Sequence, residues 1–223
     1  MVTLTVVTNS LAAEVDGSHR LYVSTVGEDK TPVEPSDRSD PLRMRDHAAV
    51  VDAKKVLGLG KVPITFASCS SRNFRTAPDY SVSAGTRAYM IEYSMADGEK
   101  GIAAIVHELA HVFQVEQAGG WGALRKLPTL QIELGADFLT GFVFRFASRK
   151  LEIDLFQRFV ALQALYVENS SEAHGSPAKR NNAFRRAYFG PLHELSSGVS
   201  GDPQAANIKF NDDVFSEIKR YEN

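Results

Sequence analysis

Between Gly101 and Phe113 every residue is small or apolar except His107, Glu108 and His111. No other stretch constrains the fold as strongly. Two imidazoles four residues apart lie one above the other on a single helix face, where both can reach one zinc ion. Glu108 projects about 100° further round the helix, where it can take a proton from a zinc-activated water. The string His107-Glu108-Leu109-Ala110-His111 therefore points to metal-assisted hydrolysis, most often of a peptide bond.

The rest of the chain arranges itself around that helix. Val2 to Thr8 and Leu21 to Val26 alternate apolar with polar about a turn-rich segment, which predicts a hairpin. Gly27 to Asp40 is polar and proline-containing, a loop. Asp40 and Pro41 make an N-cap and first-turn pair, and Met44, Ala48, Val51 and Val56 carry a predicted helix over 41–57. Val62, Ile64 and Phe66 alternate as a strand; Arg87 to Tyr93 forms another after a polar loop containing Ser68 to Ser71 and Pro78. The histidine helix is expected to start near Asp97 and to stop at Gly119 and Gly120. A second long helix opens at Pro128 and Thr129, with Leu130, Leu134, Phe138, Phe142 and Phe146 at helical spacing. Further helices are expected over about 154–167, from the Ser176 cap and Pro177 to Gly190, and from near Asn211. Ser196 to Ala206 is rich in small and polar residues and reads as a mobile stretch. Strands first and helices later is an α+β layout.

Two histidines leave a catalytic zinc one protein ligand short. A third histidine six residues after the second is ruled out, because Gln117 stands there. Cys69 lies upstream, as the ligand cysteine of peptide deformylases does, but Ser68-Cys69-Ser70-Ser71 lacks their flanking pattern. Glu133 is the better candidate. It falls 22 residues after His111, on the next long helix, and the intervening Gly-rich loop lets that helix return beside the first. Asp137, four residues further on the same face, can accept a hydrogen bond from the outer nitrogen of a ligand histidine.

Together these residues carry a resemblance. The His-Glu-Leu-Ala-His string followed by Glu133-Leu134-Gly135-Ala136-Asp137 resembles the gluzincin metallopeptidases, which include thermolysin. Gln131 to Gly141 is similar to the ELQADCxAG segment of a bacterial family of neutral zinc metallopeptidases, and His174-Gly175-Ser176-Pro177 with Arg180 and Phe184 is similar to its C-terminal HGS/T-xxxR-xxxF motif. The likeness covers about 101–190. This chain departs from the family's pattern at Gly135, where Gln is usual, at Phe138, where Cys is usual, and at Val112, where a third histidine often follows. The resemblance implies a zincin-like α+β fold, with a small mixed or antiparallel sheet packed on a mainly helical bundle. It also implies zinc held by His107, His111 and Glu133, Glu108 as general base and Asp137 behind the histidines. Gluzincins place a histidine, tyrosine or arginine beside the zinc to stabilise the oxyanion, so the resemblance offers His174 for that role; the alternative for its motif is helix capping through Ser176 and Pro177. For Arg180 the expectation is an ion pair. Arg87 to Tyr93 is expected to line the cleft and to pair with an extended peptide or protein substrate.

Composition narrows the class. At 223 residues the chain is expected to form one domain, with a strand-rich part over 1–95 and a helical part carrying the zinc site over 96–223. Its 25 basic and 27 acidic side chains are scattered, which argues against nucleic acid. No apolar stretch reaches the roughly 18 residues a membrane span needs, and the N-terminus reads as strand, not secretory signal. With Cys69 as its single cysteine, a cytoplasmic protein is the default expectation. Two rivals to a peptidase stand: a deformylase-like zinc hydrolase using Cys69, and a catalytically silent zinc-binding regulatory protein on the same fold.

Overall fold

A computed structural model describes residues 21–22, 45–69, 74–79, 85–94, 100–147, 156, 160, 174–190 and 201–220. It is an α+β structure of mainly helical content with a small mixed sheet. Four strands, β1 (Leu21–Tyr22), β2 (Ile64–Cys69), β3 (Arg75–Pro78) and β4 (Tyr89–Ser94), lie in the order β1-β3-β4-β2. β2 runs parallel to β4, while β3 runs antiparallel to both β4 and β1. β3 falls in the segment expected to be loop, because four residues ending in a proline carry no period-two signal of their own. The predicted hairpin lies outside the described residues, apart from Leu21 and Tyr22, which pair with Thr76 and Arg75 of β3. β4 has neighbours on both edges, so its backbone is already used, and the expectation that it pairs with a substrate strand is overturned.

The first described helix, α1, spans Ala48–Val56. Residues 41–44 of the helix expected over 41–57 lie outside the described residues; Arg45 is helical, and His47, with an extended backbone (ψ 128°), interrupts the helix and acts as the N-cap of α1, its Nδ1 accepting from the Ala49 N–H at 3.3 Å. α2 (Lys100–Ala118) is the central element, and every residue from 101 to 115 is buried. It ends where the two glycines end it. Gly119, with φ 81°, donates to the Glu116 carbonyl, and Gly120 donates to that of Val115, a pairing open to a residue without Cβ strain.

After the one-turn α3 (Trp121–Leu124), α4 (Thr129–Phe146) runs beside α2, buried without interruption from Ile132 to Phe144. α5 (Pro177–Phe189) opens as its sequence predicts, with Ser176 Oγ accepting from Lys179 N at 3.3 Å. It meets α4 at Gly141, where a Cβ would fall 2.2 Å from the Phe184 carbonyl oxygen. Phe184 stacks on Phe156 at 4.0 Å and meets Phe144 edge-on. Phe156 and Val160 are helical and buried; the rest of the helix expected over 154–167 lies outside the described residues.

The C-terminal helix begins earlier than Asn211. Asp202 caps α6 (Pro203–Lys209), a π-turn over Phe210–Val214 follows, and α7 (Phe215–Arg220) completes it. The end of the stretch read as mobile is thus helix, nucleated by an Asp-Pro cap that its small-residue content concealed. Phe210 is fully buried against Phe138, at 5.4 Å between ring centres. No helix among the described residues is long and apolar enough to cross a membrane.

Candidate metal centre

α2 and α4 bring His107, His111 and Glu133 together in the interior, all at 0% exposure. One ligand atom from each lies within 4.8 Å of the other two. His107 Nε2 is 3.4 Å from Glu133 Oε2, and His111 Nε2 is 3.6 Å from Glu133 Oε1. These spacings are long for hydrogen bonds. They are close to the ~3.3 Å edge of a tetrahedron whose corners lie about 2.0–2.1 Å from a zinc ion. His111 Nε2 and both Glu133 oxygens are buried without a hydrogen-bond partner among the described residues. Polar atoms so placed cost several kcal/mol, on the order of 1–3 each, unless something else binds them. The group can hold a metal ion.

Each site residue has a support behind it. Asp137 Oδ1 lies 2.9 Å from His107 Nδ1. Arg180 then clamps Asp137 from α5, its Nε and Nη2 each donating at 2.7 Å to one carboxylate oxygen. His111 Nδ1 faces Gln114 Oε1 at 2.9 Å. Thr76 of β3 reaches Glu108, its hydroxyl 2.6 Å from Oε2 and 2.9 Å from the main-chain carbonyl of the same residue. Glu108 Oε1 is buried with no hydrogen-bond partner among the described residues. Thr76 and Gln114 are parts of the site that the sequence reading missed; Arg180, expected to make an ion pair, makes it with Asp137. Only Gln114 left a signal, as a polar residue three positions after His111 on a buried helix.

His174 is half-buried and precedes Gly175 (φ 86°), which turns against Leu130 and Leu134 at the start of α4. It is not part of the three-residue group. The motif that includes it does a docking job here: Gly175 makes the turn, Ser176 caps α5, Arg180 meets Asp137 and Phe184 enters the core. Cys69 ends β2, separated from β3 by β4; its side chain lies outside the described residues.

The electrostatics follow from burial and neighbours. Burial works against protonating His107, but the Asp137 and Glu133 carboxylates outweigh it and raise the ring to about 9. Burial also opposes charge on Glu133 and Asp137; the histidines for the first, and Arg180 with His107 for the second, more than offset it and hold both carboxyls below their ordinary range. Glu108 goes the other way, raised chiefly by burial. His107 therefore keeps a proton at neutral pH in the metal-free protein, and a metal ion has to displace it. Calorimetric titration with zinc at neutral pH, in buffers of different ionisation heat, should record about one proton released per ion. Release should fade, and affinity level off, as pH rises past the raised value; identical heats in all buffers at neutral pH would contradict this.

Comparison of the chain with models of known protein families, with curated proteins and with solved structures returns no match.

Proposed function

We propose that the protein is a zinc-dependent metallopeptidase. His107, His111 and Glu133 would hold the ion, and Glu108 is the general base. One observation carries this: three buried residues bring ligand atoms within 4.8 Å of one another, beside the buried Glu108 carboxylate, whose Oε1 has no hydrogen-bond partner among the described residues. Two imidazoles and one carboxylate suit zinc, and three protein ligands leave a fourth position for chemistry. The bound ion would supply a Lewis acid for a carbonyl oxygen and lower the pKa of a water. Glu108 takes the proton of the attacking water on Oε1, while Thr76 keeps Oε2 in place, and then passes it to the leaving amine. Asp137 orients His107, and Arg180 orients Asp137. The mechanism does not require His174. The gluzincin-like motifs are the reason for choosing a peptide bond over other hydrolysable bonds.

Complete burial of His107, Glu108, His111 and Glu133 favours a second reading, a zinc-binding protein without turnover. Elemental analysis and digestion of a peptide library separate the two. The peptidase should carry about one zinc per chain and cleave library peptides in a manner abolished by a chelator and restored by zinc. Zinc without any cleavage would select the silent protein; no zinc uptake would defeat both.

A further inference from the structure

The two histidines are held by different devices. His107 faces a carboxylate, whereas His111 faces the side-chain amide of Gln114, one turn further along α2. An amide can be turned either way, and its orientation decides what it offers the ring. Its other end settles the matter. Gln114 Nε2 is 3.0 Å from the main-chain oxygen of Ile132, which can only accept, so the nitrogen faces Ile132 and Oε1 faces His111. An amide oxygen at 2.9 Å from Nδ1 requires the proton on that nitrogen. The neutral ring then has its lone pair on Nε2, the atom turned toward Glu133 Oε1. Because Ile132 immediately precedes Glu133, one amide ties the second histidine to the backbone that carries the third ligand.

Space for that amide comes from Gly135. A Cβ there would lie 2.6 Å from Gln114 Nε2, while the next neighbours, two ring atoms of Phe210, are at 3.1 and 3.3 Å. The group forced to move would be the amide, the end of a flexible side chain.

Resting on the metal-site reading above, we propose that Gln114 is a positioning residue for the metal: it fixes His111 with its proton on Nδ1 and spaces it from Glu133, in room that Gly135 leaves open. Without the amide the proton can shift to Nε2, toward Glu133 Oε1, and that form cannot bind an ion through Nε2. The balance is a proton moving between two nitrogens of one ring, with no other reactant.

Long-range proton–nitrogen NMR of the metal-free protein, recorded with the ring neutral, should find His111 protonated on Nδ1. In Gln114→Leu, which keeps the bulk and loses both polar ends, the Nε2-protonated form should appear. Zinc affinity, measured by competition with a chromophoric chelator, should fall about 10–100-fold. Gly135→Ala should weaken zinc in the same direction, and adding it to Gln114→Leu should cost little more, since both act through one amide. Wild-type His111 protonated on Nε2, or unchanged affinity in Gln114→Leu, would overturn the proposal alone; fully additive losses would overturn the part played by Gly135. If Gln114→Leu does not fold, the wild-type tautomer and Gly135→Ala still decide. A wild-type protein that takes up no zinc would overturn the metal reading and this proposal with it.

Discussion

Glu108→Gln is expected to lower peptide hydrolysis by about two to four orders of magnitude, the usual contribution of a general base, while one zinc per chain stays bound. The substitution is nearly isosteric. The new amide can present its oxygen where Oε2 now lies and go on accepting from the Thr76 hydroxyl, so β3 keeps its hold on α2. What changes is the other atom: an NH₂ group replaces Oε1 and cannot take a proton from water. The fold should not suffer. Burial holds the Glu108 carboxyl above its ordinary range, so above the unfolded carboxyl's pKa the ionised form costs stability, a cost that a neutral amide removes. The thermal midpoint of Glu108→Gln should therefore equal or exceed that of the wild type. Undiminished cleavage in a zinc-loaded variant would falsify the assignment of Glu108.

Arg180→Met should be the most destabilising single change at the site. Arg180 is 3% exposed and Asp137 fully buried, and their two 2.7 Å hydrogen bonds are the fork-to-fork geometry that a guanidinium alone supplies. Removing one partner leaves a buried carboxylate with His107 as its remaining charged contact, a loss of about 3–5 kcal/mol. At about 2–4 °C per kcal/mol for a chain of this size, the midpoint should drop by about 6–20 °C. The variant should also bind zinc less well at neutral pH, because the positive charge of Arg180 opposes protonation of His107 and its loss strengthens the proton that zinc must displace. Arg180→Lys should fall between, keeping charge without the fork. Combining Arg180→Met with Asp137→Asn should recover part of the stability, since no unpaired charge remains. A midpoint within a degree or two of wild type in Arg180→Met would show that the pair is not holding α5 to α4.

Much of the centre was legible in the chain because it depends on helical repeat. His107 and His111, and Glu133 and Asp137, are pairs four residues apart, and that spacing alone places each pair on one face. Periodicity likewise located α2 and α4, and Ser176 with Pro177 located the start of α5. Where local signals were weak or misleading, sequence reading failed. β3 is too short to announce itself, His47 interrupts the helix expected over 41–57, and β4 was assigned a free edge that β3 occupies.

The sequence by itself determined which side chains could share a metal ion and which helices carry them, because those relations run along a few turns of one element. The supports behind those side chains were decided only by the tertiary structure. Thr76 reaches Glu108 across 32 residues, Gln114 reaches the Ile132 carbonyl across 18, and Arg180 reaches Asp137 across 43. Contacts of that separation follow from how β3, α2, α4 and α5 pack, and no periodicity in the chain encodes the packing partner. The apolar run of α2 thus places the two histidines and Glu108 in the interior, and its packing against the helices and strands around it sets the burial and the neighbours that fix their charges.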